Sequence, residues 1–141
     1  LANNALKHHV LTDFVLDSSI PVVRGDQQQL EQVLVNLFVN SADALRDVGG
    51  GGLSVQTSHS ERSVRILIED TGPGFPPEKL KEIWKPFFTT KEVGKGTGLG
   101  LSICQRIIRD HGGSITAENR DEGGARFIIE LPILNELEND K

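Results

Sequence analysis

Two glycine-rich segments, one placed where a strand would end and the other where a helix would begin, restrict this chain more than any other feature. The first, Asp70-Thr71-Gly72-Pro73-Gly74-Phe75, closes an apolar run that alternates with a period of two. The second, Gly94-Lys95-Gly96-Thr97-Gly98-Leu99-Gly100-Leu101, opens an amphipathic run of helical period. Glycine lets backbone turn where other residues cannot, and lets it approach another surface with no side chain in the way. A carboxylate at a strand end and backbone amides gathered at a helix start are the donors and acceptors that a nucleotide needs at its base and phosphate ends.

The rest of the chain supplies alternating strands and helices around these turns. Val10-Leu11-Thr12-Asp13-Phe14-Val15-Leu16 predicts a strand over 10–16 that ends at Asp17-Ser18-Ser19. Asp26 stands at a helix N-cap with Gln29 three residues on, in the manner of a capping box. Leu30, Val33, Leu34, Leu37, Phe38 and Leu45 then predict a helix over about 27–47. Gly49-Gly50-Gly51-Gly52 stops it and is expected to be a flexible connection. Strands follow at about 53–58 and 63–70, joined by a hairpin turn. Pro76-Pro77-Glu78 predicts a short helix through about Ile83. Residues 84–97 lack periodicity and read as a long functional loop, expected to be mobile without a ligand. A helix over about 98–111 ends at Gly112-Gly113, strands at about 114–119 and 125–131 complete the fold, and the polar tail from Asn135 is expected to fray.

At 141 residues, 37% of them hydrophobic, the chain is long enough for one packed core. Its formal net charge of -5 argues against a nucleic-acid or membrane-surface binder, whose affinity would need a basic field. A polyanionic ligand therefore needs a local basic patch. Lys79, Lys81, Lys85, Lys91 and Lys95 outnumber Glu78, Glu82 and Glu92 over residues 77–97, which locates the phosphate end. Cys104 is the only cysteine, so no intramolecular disulfide forms, and its apolar neighbours make it a small core hydrophobe. No apolar run of membrane-spanning length and no export leader is present, so the expected compartment is the cytoplasm. The chain begins at Leu1, as a piece of a longer protein would.

Period two places Asp70 on the inward face with Val64, Ile66 and Ile68. Its carboxylate is a candidate for an adenine amino group; the alternative is a turn aspartate bonding the amides of Thr71 and Gly72. Asn36 and Asn40 share one helix face with Gln32 and Asp43. Asparagine is a poor helix former, so the pair reads either as neutral oxygen ligands for Mg²⁺ or as a solvated stripe. Lys91 and Lys95 are candidate cations for phosphate, or merely solvated. Trp84, Phe87 and Phe88 anchor the loop to the body or to a partner domain, or are ordinary loop packing. His8, His9, His59 and His111 have no metal-like spacing.

Together these residues resemble the catalytic ATP-binding domain of bacterial sensor histidine kinases, within the superfamily that includes gyrase, the heat-shock chaperone and mismatch-repair ATPases. Asn36-Leu37-Phe38-Val39-Asn40-Ser41-Ala42-Asp43 looks like the N box and Asp70-Thr71-Gly72-Pro73-Gly74 the G1 box. Pro86-Phe87-Phe88-Thr89-Thr90-Lys91 looks like the F box, Gly96-Thr97-Gly98-Leu99-Gly100-Leu101 the G2 box, and Gly123-Gly124-Ala125-Arg126-Phe127 the final glycine motif. The resemblance spans about 10–132 and is similar in detail to the nitrogen-regulation-like subgroup, on account of Asp43 and the Phe-Phe-Thr-Thr-Lys lid.

The resemblance implies an α/β two-layer sandwich, the Bergerat fold, with a mixed sheet of about five strands on about three helices and a flexible ATP lid. It implies residues 1–135 as the catalytic ATP-binding domain and 136–141 as a polar tail. ATP and Mg²⁺ are the implied cofactors. Asn40, helped by Asn36, would ligate the metal, and Asn36 and Lys91 would be the catalytic residues. Asn40, Asp43, Asp70, Gly72, Gly74, Phe88, Lys91, Lys95 and the run Gly96, Thr97, Gly98, Leu99, Gly100, Leu101 would bind the nucleotide. Hydrolytic relatives carry a glutamate where this chain has Asn36, and an amide cannot accept a proton from water. Transfer of the γ-phosphoryl group to a histidine on an upstream dimerisation domain is therefore implied. A response-regulator receiver domain would be the later acceptor. The parent would be a homodimer, membrane-anchored or not, and the isolated domain a monomer that does not phosphorylate itself. An anti-sigma-type serine kinase, a hydrolytic ATPase and a non-catalytic nucleotide-sensing module are the competing readings. Ala125 replaces a threonine frequent in the last motif, which removes one contact near adenine.

Overall fold

A computed structural model describes residues 10–17, 19, 23–88 and 100–133. Strand β1 (Val10–Val15) leads to helix α1 (Gln27–Asp47), then to β2 (Gly51–His59) and β3 (Ser63–Asp70). Helix α2 (Gly100–Asp110), β4 (Ser114–Asn119) and β5 (Ala125–Pro132) follow. The sheet order is β1-β2-β3-β5-β4, with β1 parallel to β2 and every other pair antiparallel. The parallel pair needs a crossover, and α1 is that crossover. This is the expected mixed five-stranded sheet.

Alternation decides which face the helices cover. Leu53 and Val55 of β2, Val64 and Ile68 of β3, Phe127, Ile129 and Leu131 of β5 and Ile115 of β4 are buried on one face. They pack against Val33, Leu37 and Leu45 of α1 and Cys104, Ile107 and Ile108 of α2. The opposite face carries charge instead: Arg126 pairs with Glu69 and Glu118, each at 2.8 Å, and Arg65 approaches Glu130 at 3.9 Å. Glu118 and then Glu69 hold the Arg126 guanidinium above its ordinary pKa. One sheet face is thus core and the other a solvated lattice of ion pairs. At the sheet edge, Leu11 and Phe14 of β1 remain largely exposed.

Helix α1 has the expected bounds. Asp26 caps it by accepting from the Gln29 amide at 3.1 Å. The reciprocal half of the capping box is made by another residue. The Asp26 amide donates to His111 Nε2 at 2.9 Å, and His111 Nδ1 lies 2.7 Å from the Ile107 carbonyl. Since Nε2 must accept, Nδ1 carries the proton and donates. His111 therefore ties the end of α2 to the start of α1. At its other end α1 closes with Gly49 and Gly50 amides donating to the Arg46 and Leu45 carbonyls, a Schellman arrangement that α2 repeats with Gly112 and Gly113.

Two expectations are corrected. Gly49–Gly52 is not one flexible connection, because Gly51 and Gly52 enter β2 opposite Val10 and Leu11. Thr71 explains why glycine stands there: a Cβ on Gly51 would lie 2.5 Å from Thr71 Oγ1, which itself accepts from the Gly52 amide at 2.9 Å. The helix expected through Ile83 reduces to a 3₁₀ turn at Pro77–Lys79 followed by further turns. Among the described residues the sheet packs on two α-helices and that turn. The start of the helix expected from 98 lies outside the described residues, and so does the tail from Asn135. No helix among the described residues is long and apolar enough to cross a membrane.

Candidate functional site

The site is built outward from the end of β3. Asp70 is only 3% exposed, as its place in the alternation requires, and a buried carboxylate needs donors. Its Oδ1 accepts from the Gly72 amide at 2.9 Å and from the Ala125 amide at 3.3 Å. The first bond is the turn geometry considered above; the second comes from across the sheet. Backbone supplies that second donor. Gly124 makes the approach feasible: its φ is +98°, and a Cβ there would run into the Asp70 carbonyl oxygen. Arg120 Nη1 donates to that same carbonyl at 3.1 Å.

Beyond Asp70 the chain is pinned by a residue that sequence reasoning passed over. Asn119, the last residue of β4, accepts from the Phe75 amide at 2.9 Å and donates through Nδ2 to the Phe75 carbonyl at 2.7 Å. Gly74 has φ +70°, and a Cβ on it would lie 2.6 Å from Asn119 Oδ1. Phe75 and Trp84 each meet the Phe127 ring edge to face at 6.1 Å. The glycine turn is held rigidly by one amide clamp and an aromatic cluster. An asparagine ending a strand looks like ordinary turn chemistry in the sequence, so nothing there marked Asn119 as a clamp.

Helix α1 packs on β3 and on α2. Asn36 and Asn40 are half-buried on it, and Gln32 is exposed. Burial pushes the Cys104 thiol of α2 up to about 11. Cys104 is fully buried, with Sγ 3.7 Å from the Val33 carbonyl, so it is an inert core residue. Asp43 pairs with Arg46 at 2.5 Å. Gly100 is the first described residue of α2, with no heavy atom of the described residues outside its own helix backbone within 4 Å of where a Cβ would be, and Leu101 packs against the core. Trp84 and Phe88 anchor on the core, but Phe87 is 75% exposed and has φ 68°. Lys91, Lys95, Gly96, Thr97, Gly98 and Leu99 lie outside the described residues.

The arrangement fits an adenine nucleotide. Asp70 offers a carboxylate at the floor of a glycine turn, and both of its described bonds fall on one oxygen. Among the described residues nothing crowds Gly100, the first described residue of α2. The amide oxygens of Asn36 and Asn40 are neutral hard donors, which suit an ion that keeps waters and phosphate oxygens among its ligands.

Residues 25–135 match the family described as histidine kinase-, DNA gyrase B- and HSP90-like ATPases, and the chain belongs to it. Within that class its likeness is to sensor kinases. It is 45% identical over 119 residues to the two-component sensor PprA of Pseudomonas aeruginosa, covering 79% of this chain and 13% of that protein. Against sporulation kinase C of Bacillus subtilis it is 37% identical, covering 88% of this chain and 29% of the kinase. The chain thus spans under a third of these relatives. Among solved structures, the nucleotide-free catalytic domain of histidine kinase ThkA superposes with a TM-score of 0.80 at 38% identity, over 93% of this chain and 85% of that one. ThkA has also been solved in complex with the response regulator protein TrrA; that kinase matches with a TM-score of 0.77 at 34% identity, over 96% of this chain and 37% of it.

Proposed function

We propose that this chain is the catalytic domain of a two-component sensor histidine kinase, which holds Mg-ATP and presents the γ-phosphoryl group to a histidine on an upstream dimerisation domain. The observation that carries the reading is buried Asp70, fixed by two backbone amides on Oδ1 beside the Gly72–Gly74 turn. That carboxylate is positioned to accept from an exocyclic amino group, which selects adenine over bases that present a carbonyl there.

Asn40 and Asn36 would hold Mg²⁺, which when bound neutralises phosphate charge. Gly100 and Leu101 bring the amides of the α2 N-terminus to the phosphates, with Lys91 and Lys95 adding positive charge from the lid. Asn36 cannot take a proton from water. The chain's own residues therefore bind, orient and neutralise, and leave the nucleophile to be supplied by another domain. A response-regulator receiver domain is the later acceptor, a role that the ThkA–TrrA complex makes reasonable for a relative.

The test is to mix this chain with the histidine-bearing dimerisation domain of its parent protein and with γ-labelled ATP and Mg²⁺. Label should move to the separate domain and none to this chain alone. Steady release of inorganic phosphate without labelled protein would contradict the reading and favour a hydrolytic ATPase.

A further inference from the structure

The ladder between β3 and β5 stops beside Asp70, although both strands extend one residue further. Its last pair is Glu69 with Arg126, so Asp70 and Ala125 would form the next. The Ala125 amide does turn toward β3, but it donates to the Asp70 carboxylate at 3.3 Å and not to the Asp70 carbonyl. A backbone carbonyl in a residue only 3% exposed needs another donor. Arg120 is that donor, with Nη1 at 3.1 Å from the Asp70 carbonyl oxygen. Side chains thus replace both ends of one ladder bond, a carboxylate in place of the carbonyl and a guanidinium in place of the amide.

Arg120 is fixed for this contact by its own hairpin. Its amide donates to the Gly124 carbonyl at 2.8 Å, and its carbonyl accepts from the Gly123 amide at 3.1 Å. Nη2 pairs with Glu122 at 2.9 Å, and Nε lies 3.3 Å from Glu69 Oε2. Arg126 already takes that oxygen with two nitrogens, at 2.9 and 2.8 Å, so the buried Nε of Arg120 adds a charge contact without a hydrogen bond. Carboxylates hold the guanidinium in place while its remaining arm bonds the carbonyl. Without that arm the donor at hand for the carbonyl is the Ala125 amide, which could reach it only by leaving Oδ1. The ladder would then close by one rung, and the Asp70 carboxylate would lose a bond that aims it.

We infer that Arg120 is the positioning residue of the base-reading carboxylate: it occupies the Asp70 carbonyl, so that the Ala125 amide stays on Oδ1 and the carboxylate stays turned to the adenine amino group. The inference rests on the pocket's being a nucleotide site, as proposed above. It gives the ion pairs around Glu69 a part in ligand binding, carried through one backbone carbonyl.

A double-mutant cycle separates this role from a structural one. Calorimetric titrations with ADP compare the unmodified chain, Arg120→Met, Asp70→Asn and the double variant, with melting curves alongside. Arg120→Met keeps an apolar stem and removes every donor. It should bind ADP about five- to tenfold more weakly than the unmodified chain, the worth of one neutral hydrogen bond. In the Asp70→Asn background the group that Arg120 positions is already gone, so the same change should alter affinity by less than about twofold. Equal loss in both backgrounds would make Arg120 a structural residue and overturn the inference, and so would no loss in either. If Arg120→Met does not fold, Arg120→Lys takes its place: one ammonium cannot serve both the carbonyl and Glu122, so a loss of about threefold is expected, and the same comparison decides. Absence of ADP binding by the unmodified chain would remove the nucleotide reading, and this inference with it.

Discussion

Asp70 and Asn119 divide the work at the centre of the site. Asp70 is held by amides that only glycines at 72 and 124 let near it, while Asn119 fixes the following turn through both ends of its side-chain amide. Asn119→Ala leaves the Phe75 amide and carbonyl without these partners and should destabilise the fold by about 1–3 kcal/mol in urea titrations. A change below about 0.5 kcal/mol would mean that the clamp is dispensable. Asp70 was legible in the sequence because alternation points it inward and glycines follow it. Asn119 and Arg120 were not, because the Phe75 backbone and the Asp70 carbonyl that they hold lie far along the chain. No local pattern records such a contact.

At the scale of elements, helix α1 was readable to its bounds because cap, apolar period and glycine stop all agree. Agreement failed where local chemistry was overridden by a neighbour: Gly51 and Gly52 read as a linker, but the close approach of Thr71 makes them strand. Pro76-Pro77 suggested a helix, yet only one 3₁₀ turn forms before Ile83 and Trp84 drop into the core. The link from β1 to β2 is also tertiary. Asp17 accepts from the Ser19 amide at 2.9 Å and from the Ser19 hydroxyl at 2.7 Å, and lies 2.6 Å from His59 Nδ1. These bonds, those from Ser19 foremost, lower its pKa to about 2 from 3.8. A lowered carboxylate pKa adds stability that is fully present above the unfolded value and is lost as pH falls through the folded one. The stability difference between the unmodified chain and Asp17→Asn should therefore be constant from pH 5 upward and shrink as pH drops from about 4 to 2. Urea midpoints measured across that range check it, and a difference that is flat to pH 2 would contradict the assignment.

Across the whole molecule, the sheet separates a charged face from a working face. Ion pairs lace the outer side, and the helices bury the inner side, with α1 packing on β3 and on α2. Among the described residues, two α-helices, one sheet and their connections make up that packing. The central claim is that this pocket binds an adenine nucleotide through Asp70. Calorimetric titration of Mg-ATP into the unmodified chain and into Asp70→Asn, with melting temperatures taken alongside, tests it most directly. The asparagine oxygen can still accept from the Gly72 and Ala125 amides, so the variant should melt within a few degrees of the parent chain and lose at least about tenfold in affinity. Equal affinity in the two folded chains, or no binding by the unmodified one, would contradict the account.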